Sequence, residues 1–235
     1  MSKKYELTSI SKVVNGCTVY RIKALKDFGD VEKGNIGGYI QSEKNLSQED
    51  DCWIFDNAKV FGNARVYENA RLYDNAIVSR NAIIYGNAKV YGNAIVYGNA
   101  KVSGNAEVYG DAEIYGNAEV YVDAEVFDNA KVYGNAKVFD NAKVYGNAEV
   151  YGDAILSENA NIESNDDFSI IYNFGSINRV TSFFKCEDGL IKVNCGCFHG
   201  TIDEFRERVK DVHKDSKYAK EYLMIADLME LKMSK

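Results

Sequence analysis

The stretch Lys89-Val90-Tyr91-Gly92-Asn93-Ala94-Ile95-Val96-Tyr97-Gly98-Asn99-Ala100 decides the fold of this chain, because it consists of near-copies of one six-residue unit. Alanine occupies every sixth position from Ala58 to Ala160 without exception, eighteen times in all. Each alanine follows Asn or Asp, and a branched aliphatic residue stands two positions after it. Such regularity is typical of a solenoid that climbs by one constant step, and ordinary globular cores do not need it.

Each unit is predicted to form a short strand followed by a corner. Side chains alternate along a strand, so the alanine and the branched residue share the inward face, while the residue between them and the aromatic point outward. Asn or Asp at the fourth position, the corner, is expected to take left-handed backbone angles. The third position is mostly Gly but varies, so Gly is expected to suit the corner without being required there. Identical units that turn the same way cannot form hairpins. Three of them close one turn, so residues 18 apart should stack.

The repeat frame also extends in both directions from the regular coils. On the N-terminal side it predicts a degenerate first coil that begins near residue 34, although Ser42 and Gln48 do not suit inward positions. On the C-terminal side Asp166 falls where alanine is required, so the solenoid is expected to end near residue 164. The inward residues expected in the degenerate coil are Ile36, Ile40, Leu46, Cys52 and Ile54.

The two flanks read as different structures. Residues 1–29 predict a β-hairpin with its turn at Asn15-Gly16, which would cover the first coil. Beyond residue 164, strands are predicted over 168–172, 180–184 and 190–194. Two helices follow, capped by Thr201 and Ser216. Their predicted inward residues are Ile202, Phe205, Val209 and Val212 in the first helix and Ala219, Tyr222, Leu223, Ala226 and Met229 in the second.

The predicted fold class is therefore mainly β, a parallel β-helix with a hairpin cap and a small α+β module. We divide the chain into an N-terminal cap (1–33), a repeat solenoid (34–164) and a C-terminal module (165–235).

Composition narrows the classes of partner and compartment. A formal net charge of −7 disfavours a nucleic-acid backbone as partner. No apolar run approaches the ~18 residues of a membrane span. An odd number of cysteines, five, without a secretory leader predicts a reducing, cytoplasmic location.

Outward positions of the coils should form charged columns, because residues 18 apart lie side by side. The pairs predicted are Lys89–Glu107, Lys101–Glu119–Lys137, Glu113–Lys131–Glu149 and Glu125–Lys143. Such pairs penalise a slip by one coil. Glu107, Glu113, Glu119 and Glu125 also form an acidic girdle, and mimicry of a nucleic-acid strand is the alternative interpretation of it.

Aromatic residues stack in the same way. Large exposed aromatic stripes are uncommon on monomers, so we expect a protein partner or a homo-oligomer, a dimer or a trimer, although mutual stabilisation of the rings alone is the competing explanation. The first row is expected to run unbroken from Phe55 to Tyr145. The predicted interaction surface comprises Tyr73, Tyr91, Tyr109, Phe127 and Tyr145 of that row, Tyr97, Tyr115 and Tyr133 of a second, and the apolar Ile77 and Ile95.

The unit resembles the hexapeptide-repeat, left-handed parallel β-helix of bacterial acyltransferases over residues 54–162. That resemblance implies a left-handed coil. The flanking segments Gly37-Gly38-Tyr39-Ile40, Cys52-Trp53-Ile54 and Cys195-Gly196-Cys197-Phe198 resemble uncharacterised bacterial and prophage hexapeptide-repeat proteins, some of which carry a transferase label. This second resemblance implies a bacterial or phage-infected cell and brings no established activity.

Catalytic and metal chemistry have few candidates. The acyltransferases that the unit resembles use a histidine in the coils as general base, but both histidines here, His199 and His213, follow the coils in the chain. We therefore assign no catalytic residue and no cofactor. A weak zinc hypothesis uses Cys186, Cys195, Cys197 and His199, with the last three alternating along one strand. A nucleophilic Cys197–His199 pair has still less support.

The function predicted from sequence is a non-enzymatic scaffold that presents its outer faces or its C-terminal module to a protein. A phage-encoded protein acting on a host defence component fits the second resemblance. The alternatives are an acyltransferase-like enzyme and an acidic nucleic-acid mimic.

Overall fold

The computed structural model describes residues 3–177 and 179–234. Each repeat contributes one two-residue strand, made of the branched residue and the residue before it. These strands are β4 (Trp53–Ile54), β5 (Lys59–Val60), β6 (Arg65–Val66), β7 (Arg71–Leu72), β8 (Ile77–Val78), β9 (Ile83–Ile84), β10 (Lys89–Val90), β11 (Ile95–Val96), β12 (Lys101–Val102), β13 (Glu107–Val108), β14 (Glu113–Ile114), β15 (Glu119–Val120), β16 (Glu125–Val126), β17 (Lys131–Val132), β18 (Lys137–Val138), β19 (Lys143–Val144), β20 (Glu149–Val150), β21 (Ile155–Leu156) and β22 (Asn161–Ile162).

Every third strand is a neighbour in space. For example, β11 pairs in parallel with β8 on one side and β14 on the other, so Ile95 lies beside Ile77 and Glu113. The strands thus form three parallel sheets, one per face of the coil. The predicted turn of three units is confirmed, and the solenoid has about seven turns. The left hand of the coil stays a prediction.

The inward face is as uniform as the sequence predicts. Every repeat alanine from Ala58 to Ala160 is at most 1% exposed, and so is every branched residue from Val60 to Ile162. Outward residues between them are half-buried or exposed. Burial of each branched side chain contributes roughly 1.5–3 kcal/mol, so the column of inward residues is the main stabilising element of the coils.

The corners differ from the prediction. The left-handed residue is the third of the unit, not the Asn or Asp at the fourth. Gly104, for example, has φ +67°, and a Cβ there would lie 2.7 Å from the backbone nitrogen of Val122 in the next coil. Glycine is therefore favoured at the third position by close backbone approach as well as by φ. At Asp56, Glu68, Asp74, Asp128 and Asp140, which replace it, the carboxylate accepts a hydrogen bond from a backbone N–H of the next coil, as Glu68 does from Gly86 N at 2.8 Å.

Asn or Asp recurs at the fourth position of every repeat for a reason other than left-handed backbone angles. The Asn side-chain amides form hydrogen-bonded ladders along the corners. Asn63 Nδ2 donates to Asn81 Oδ1 at 3.1 Å, and the same bond repeats upward to Asp153. A carboxylate accepts but cannot donate, so Asp is suited to the last rung of a ladder. The side chain thus links coils instead of relaxing the backbone.

Val122 is the one β-branched residue of the described chain with a left-handed backbone, at φ 63°. Nothing in the structure explains this residue. Left-handed angles cost a residue with a Cβ roughly 1–2 kcal/mol, so Val122→Gly is expected to raise the free energy of unfolding by about 0.5–1 kcal/mol after the entropy cost of glycine. Urea denaturation measures the change. Gly104→Ala, in the neighbouring coil at the same corner, should have the opposite sign, and equal signs would contradict this account.

The N-terminal hairpin is continuous with the solenoid. It consists of β1 (Tyr5–Val14) and β2 (Cys17–Ala24), with the predicted turn at Asn15-Gly16. Strand β2 pairs antiparallel with β3 (Ile36–Ile40), which pairs in parallel with β5. One face of the solenoid is thereby a nine-stranded sheet.

One inward residue of the degenerate coil was predicted wrongly. Ile40 is buried, as are Leu46, Cys52 and Ile54, but Ile36 is 48% exposed. The pairing of β2 with β3 shifts between Arg21 and Lys23, which is a β-bulge. One extra residue reverses the face to which the following side chains belong. A short 3₁₀ turn, Glu43–Asn45, follows this strand.

The C-terminal module is an antiparallel sheet with two helices. Its strands are β23 (Phe168–Phe174), β24 (Arg179–Lys185), β25 (Ile191–Cys195) and β26 (Phe198–Thr201), and the last was not predicted. The helices are α1 (Ile202–His213) and α2 (Lys217–Met233). Both predicted caps are present, with Thr201 Oγ1 accepting from Glu204 N at 3.2 Å and Ser216 Oγ accepting from Ala219 N at 3.3 Å.

The predicted inward residues of the helices are mostly buried. Val212 is an exception at 52% exposure, and Leu223 is only half-buried. The module also closes the last coil, because Phe168, Phe184 and Cys186 belong to the solenoid core. The three-part division of the chain stays a prediction.

Candidate functional site

The aromatic rows on the outer faces are stacks of nearly parallel rings. In the first row Tyr91 and Tyr109 lie 4.8 Å apart at 2°. The predicted continuity is interrupted, because the stacked pairs among the described residues leave a gap between Tyr73 and Tyr91. In the second row Tyr115 and Tyr133 lie 4.8 Å apart at 1°. The remaining stacked neighbours in these two rows are Phe55–Tyr73, Tyr109–Phe127, Phe127–Tyr145, Tyr97–Tyr115 and Tyr133–Tyr151.

Several of these tyrosines also hydrogen-bond within the protein. Tyr91 Oη donates to Glu107 Oε2 at 2.8 Å, and Lys89 Nζ donates to the other oxygen at 2.8 Å. Burial and the Glu107 carboxylate raise the pKa of Tyr91, and the Lys89 ammonium lowers the pKa of Glu107. Burial and Glu125 raise the pKa of Tyr109 to about 12. The ring faces and hydroxyls are thus largely used within the coil, which supports mutual stabilisation.

The acidic girdle is partly neutralised in the same way. Glu119 contacts Lys101 at 2.9 Å and Lys137 at 3.6 Å, as the register predicted. Glu113 and Lys131 are neighbours in register. Lys131 and Glu149 are also neighbours in register, as are Glu125 and Lys143. In the described residues, however, the ammonium and carboxylate of Glu113–Lys131, Lys131–Glu149 and Glu125–Lys143 do not come within 4.0 Å of each other. Exposed pairs contribute about 0.2–1 kcal/mol each. Of the four girdle glutamates, Glu107 and Glu119 thus form interstrand ion pairs, whereas Glu113 and Glu125 form none among the described residues.

The two isoleucines of the predicted surface differ. Ile77 packs against a small cluster of Val19, Tyr39 and Phe61 beneath the N-terminal hairpin. Ile95, one coil further, is half-buried beside Ile77 in the same sheet. Of the apolar surface that we predicted for a partner, the part at Ile77 therefore packs against the N-terminal hairpin instead.

The zinc candidates are not brought together. A turn at Gly196 and Cys197 reverses the chain, so Cys195 and His199 lie on two strands and not one. Cys195 is buried in the module core, Cys186 lies in the solenoid core, and Cys197 is exposed. Among residues 3–177 and 179–234, no three His, Cys, Asp or Glu side chains are grouped as a metal would require.

The fold returns His199 to the last coil, a contact that chain order concealed. Its Nε2 contacts Glu158 and its Nδ1 contacts Asn194 Oδ1. Lys192 pairs with the second oxygen of Glu158. Asn194 Nδ2 donates to Ile155 O at 2.9 Å. Both ring nitrogens are occupied by protein groups, so this cluster fastens the module to the final corner.

Sequence reasoning missed an exposed apolar stripe on α2. Met224, Leu228 and Leu231 are 71%, 56% and 75% exposed. Their spacing of four and three residues places them on one side of the helix, opposite the buried Tyr222, Ala226 and Met229. The signal was present in the sequence as a second apolar periodicity in one helix. We call Met224, Leu228 and Leu231 the α2 stripe.

The comparison with protein families agrees with the coil geometry. A family model described as the YdcK beta solenoid repeat matches residues 70–86, 84–98 and 88–104. These segments lie in the N-terminal half of the coils and start at Ala70, Ile84 and Ala88. No curated protein matches the chain. With the fold, the match defines a β-solenoid repeat protein.

Neither helix of the described chain has the length and hydropathy that crossing a bilayer requires.

Proposed function

We propose that this protein is a non-enzymatic scaffold that self-associates through the α2 stripe, with the solenoid as a rigid frame. The carrying observation is the position of the stripe, because Met224, Leu228 and Leu231 expose apolar surface on a helix whose other side already packs on the module. Exposed contiguous apolar surface on a helix favours docking to another helix.

A second copy of the chain is the occupant that the arrangement of the stripe favours. In a heptad frame Leu228 takes an a position and Met224 and Leu231 take d positions. The stripe is nearly symmetric about Leu228. In an antiparallel pair of α2 helices, Leu228 of the two copies would therefore meet at the centre, and Met224 of each copy would face Leu231 of the other.

Features of the coils support a frame and not an enzyme. Outer tyrosines, lysines and glutamates bond to one another, and corner amides form ladders. An acyltransferase would need a general base facing an acceptor, and the protein has two histidines. His199 is held on both nitrogens and His213 stacks on Tyr222. The alternative acyltransferase activity therefore has less support than scaffolding.

We extend the proposal to the cellular setting implied by the flanking segments. Paired solenoids of a phage-encoded protein would present their long outer faces to a host protein, such as a defence component, in the cytoplasm. The resemblance of the flanks to prophage proteins supports this part, together with five unpaired cysteines. We also propose the hexapeptide-repeat type for the coil, which the six-residue period supports. The left hand is part of the same proposal and rests on the resemblance to hexapeptide-repeat acyltransferases.

Leu228→Glu is expected to weaken self-association at least tenfold, because each dimer would bury two carboxylates in the apolar seam. Sedimentation equilibrium over micromolar concentrations measures the effect, with thermal unfolding as a check of fold. Ile10→Glu is the matched control, since Ile10 is 54% exposed but lies on the hairpin. A monomeric wild type, or equal effects of the two variants, would refute the proposal.

The facing of Met224 and Leu231 tests the orientation of the helices. Met224→Lys and Leu231→Asp should each weaken the dimer, and the double variant should restore part of the loss because the two new charges would face each other. Absence of rescue would exclude the antiparallel arrangement.

A further inference from the structure

A cavity of about 200 Å³ lies in the C-terminal module, between the start of β24, the β25–β26 turn and the two helices. Its floor consists of Phe205, Val209 and Tyr222, each less than 5% exposed. Its rim includes Ile177 and Val212, which are more than half exposed. This cavity accounts for the exposure of Val212, because that side chain faces an opening and not a packed neighbour.

The polar groups around the cavity are cationic or neutral. Arg179, Arg208 and His213 contribute to the lining, and none of the described lining residues is acidic. This composition stands out in a chain whose net charge is −7. Two arginines beside an apolar floor provide planar donors next to a surface for a hydrocarbon body.

Neither arginine is neutralised within the described chain. Arg206, two residues before Arg208 on the same helix, contacts three carboxylates, of Asp203, Asp227 and Glu230. No corresponding ion pair involves Arg179 or Arg208. Three acids of the module are thus engaged by Arg206, whereas Arg179 and Arg208 beside the cavity form no ion pair within the described chain.

The walls of the cavity depend on two glycines. Gly196 has φ +64°, and a Cβ there would overlap the Arg179 guanidinium. Gly175 has φ +74°, and a Cβ there would overlap the hydroxyl of Tyr222. His213 stacks on the Tyr222 ring with centroids 5.3 Å apart at 27°. The positions of the Arg179 guanidinium and the Tyr222 hydroxyl therefore require residues without a Cβ at 196 and 175.

We propose that this cavity is a binding site for a small carboxylate on an apolar, preferably aromatic, body. The body lies on Phe205, Val209 and Tyr222, and the carboxylate accepts hydrogen bonds from Arg179 and Arg208. The volume is below the ~300–1,000 Å³ of sites for drug-sized ligands, which limits the body to about one ring and a short chain. This site is separate from the α2 stripe, since Tyr222 is on the buried side of that helix.

The test is a titration of the full-length protein with 3-phenylpropanoate, followed by amide NMR shifts of Gly196 and Val209. Saturable binding is expected with a Kd on the order of 1 mM, as suits a ligand of this size. The neutral isostere 3-phenylpropanol and inorganic phosphate should each bind at least tenfold more weakly. Equal binding of either one, or no saturable binding of the acid, would overturn the proposal.

A variant pair assigns the binding to the arginines. Arg179→Met with Arg208→Met keeps side-chain volume and should weaken binding of the acid at least tenfold. Lys210→Met, an exposed cation on α1 outside the lining, should leave it unchanged. An unchanged Kd in the double variant, whose folded state the same spectra report, contradicts the role of the arginines.

The same carboxylate chemistry occurs in free acids and at peptide C-termini. An acetylated tripeptide that ends in phenylalanine, with a free or an amidated terminus, distinguishes these sources. Tighter binding of the free-terminus peptide than of 3-phenylpropanoate assigns the site to a chain terminus. Weaker binding assigns it to a small free acid.

Discussion

Replacing Lys4 with alanine is expected to lower the free energy of unfolding by about 2–4 kcal/mol. Lys4 is 1% exposed, and its ammonium donates to Glu49 O at 2.9 Å, Asp50 O at 3.1 Å and Cys52 O at 3.0 Å. Three donors therefore meet three carbonyl acceptors at an irregular corner of the first coil. Without the ammonium, carbonyl groups in a partly buried site lose their partners.

Lys3→Ala is the matched control for this prediction. Lys3 is exposed and pairs with Glu43 at 2.6 Å, so its loss should cost less than about 1 kcal/mol. Urea unfolding followed by circular dichroism compares the two variants. Equal stability of the two alanine variants would show that the Lys4 contacts do not hold the first coil.

Removal of residues 95–112 is expected to leave a folded solenoid that is shorter by one turn. The deletion takes out β11, β12 and β13 and joins Ala94 to Glu113, so the six-residue frame is kept and β14 can pair with β8. Each coil contacts mainly its two neighbours, so stability should decrease without loss of cooperative unfolding.

Removal of residues 95–113, one residue more, should instead destabilise the protein by at least roughly 3 kcal/mol, because two or more inward side chains lose their burial at the junction. An extra residue can bulge out at a corner, but a missing one cannot be supplied by a two-residue strand. Thermal unfolding followed by circular dichroism compares the deletions. Similar stability of the two would contradict the strict frame.

The sequence predicts the coils well because the inward and outward positions follow from the residues within each repeat. Alternation along the strand decides which side chains face inward. The six-residue period, with three units per turn, makes residues 18 positions apart neighbours in space. The corner was assigned wrongly, since the left-handed position depends on how closely Gly104 and Val122 approach in space. Periodicity shows that Asn is kept, but it does not distinguish a backbone preference from a ladder between coils.

Features outside the period were harder to predict because they arise from contacts distant in the chain. The buried ammonium of Lys4 is satisfied by carbonyls more than forty residues away. The β-bulge that exposes Ile36 depends on strand pairing. His199 reaches Glu158 through an unpredicted hairpin turn. The aromatic rows were foreseen, whereas the α2 stripe was overlooked because its helix already had one apolar side.

The most direct test of the central claim measures self-association of the protein that lacks residues 95–112. The deletion removes Tyr97 and Tyr109 from the aromatic rows and Ile95 from the predicted surface, and it leaves α2 intact. If the coils are a frame and α2 holds the copies together, sedimentation equilibrium should give a dimer with a dissociation constant within about threefold of the full-length value, a difference of less than 1 kcal/mol. A folded but monomeric deletion protein would place the association surface on the coils and contradict the account.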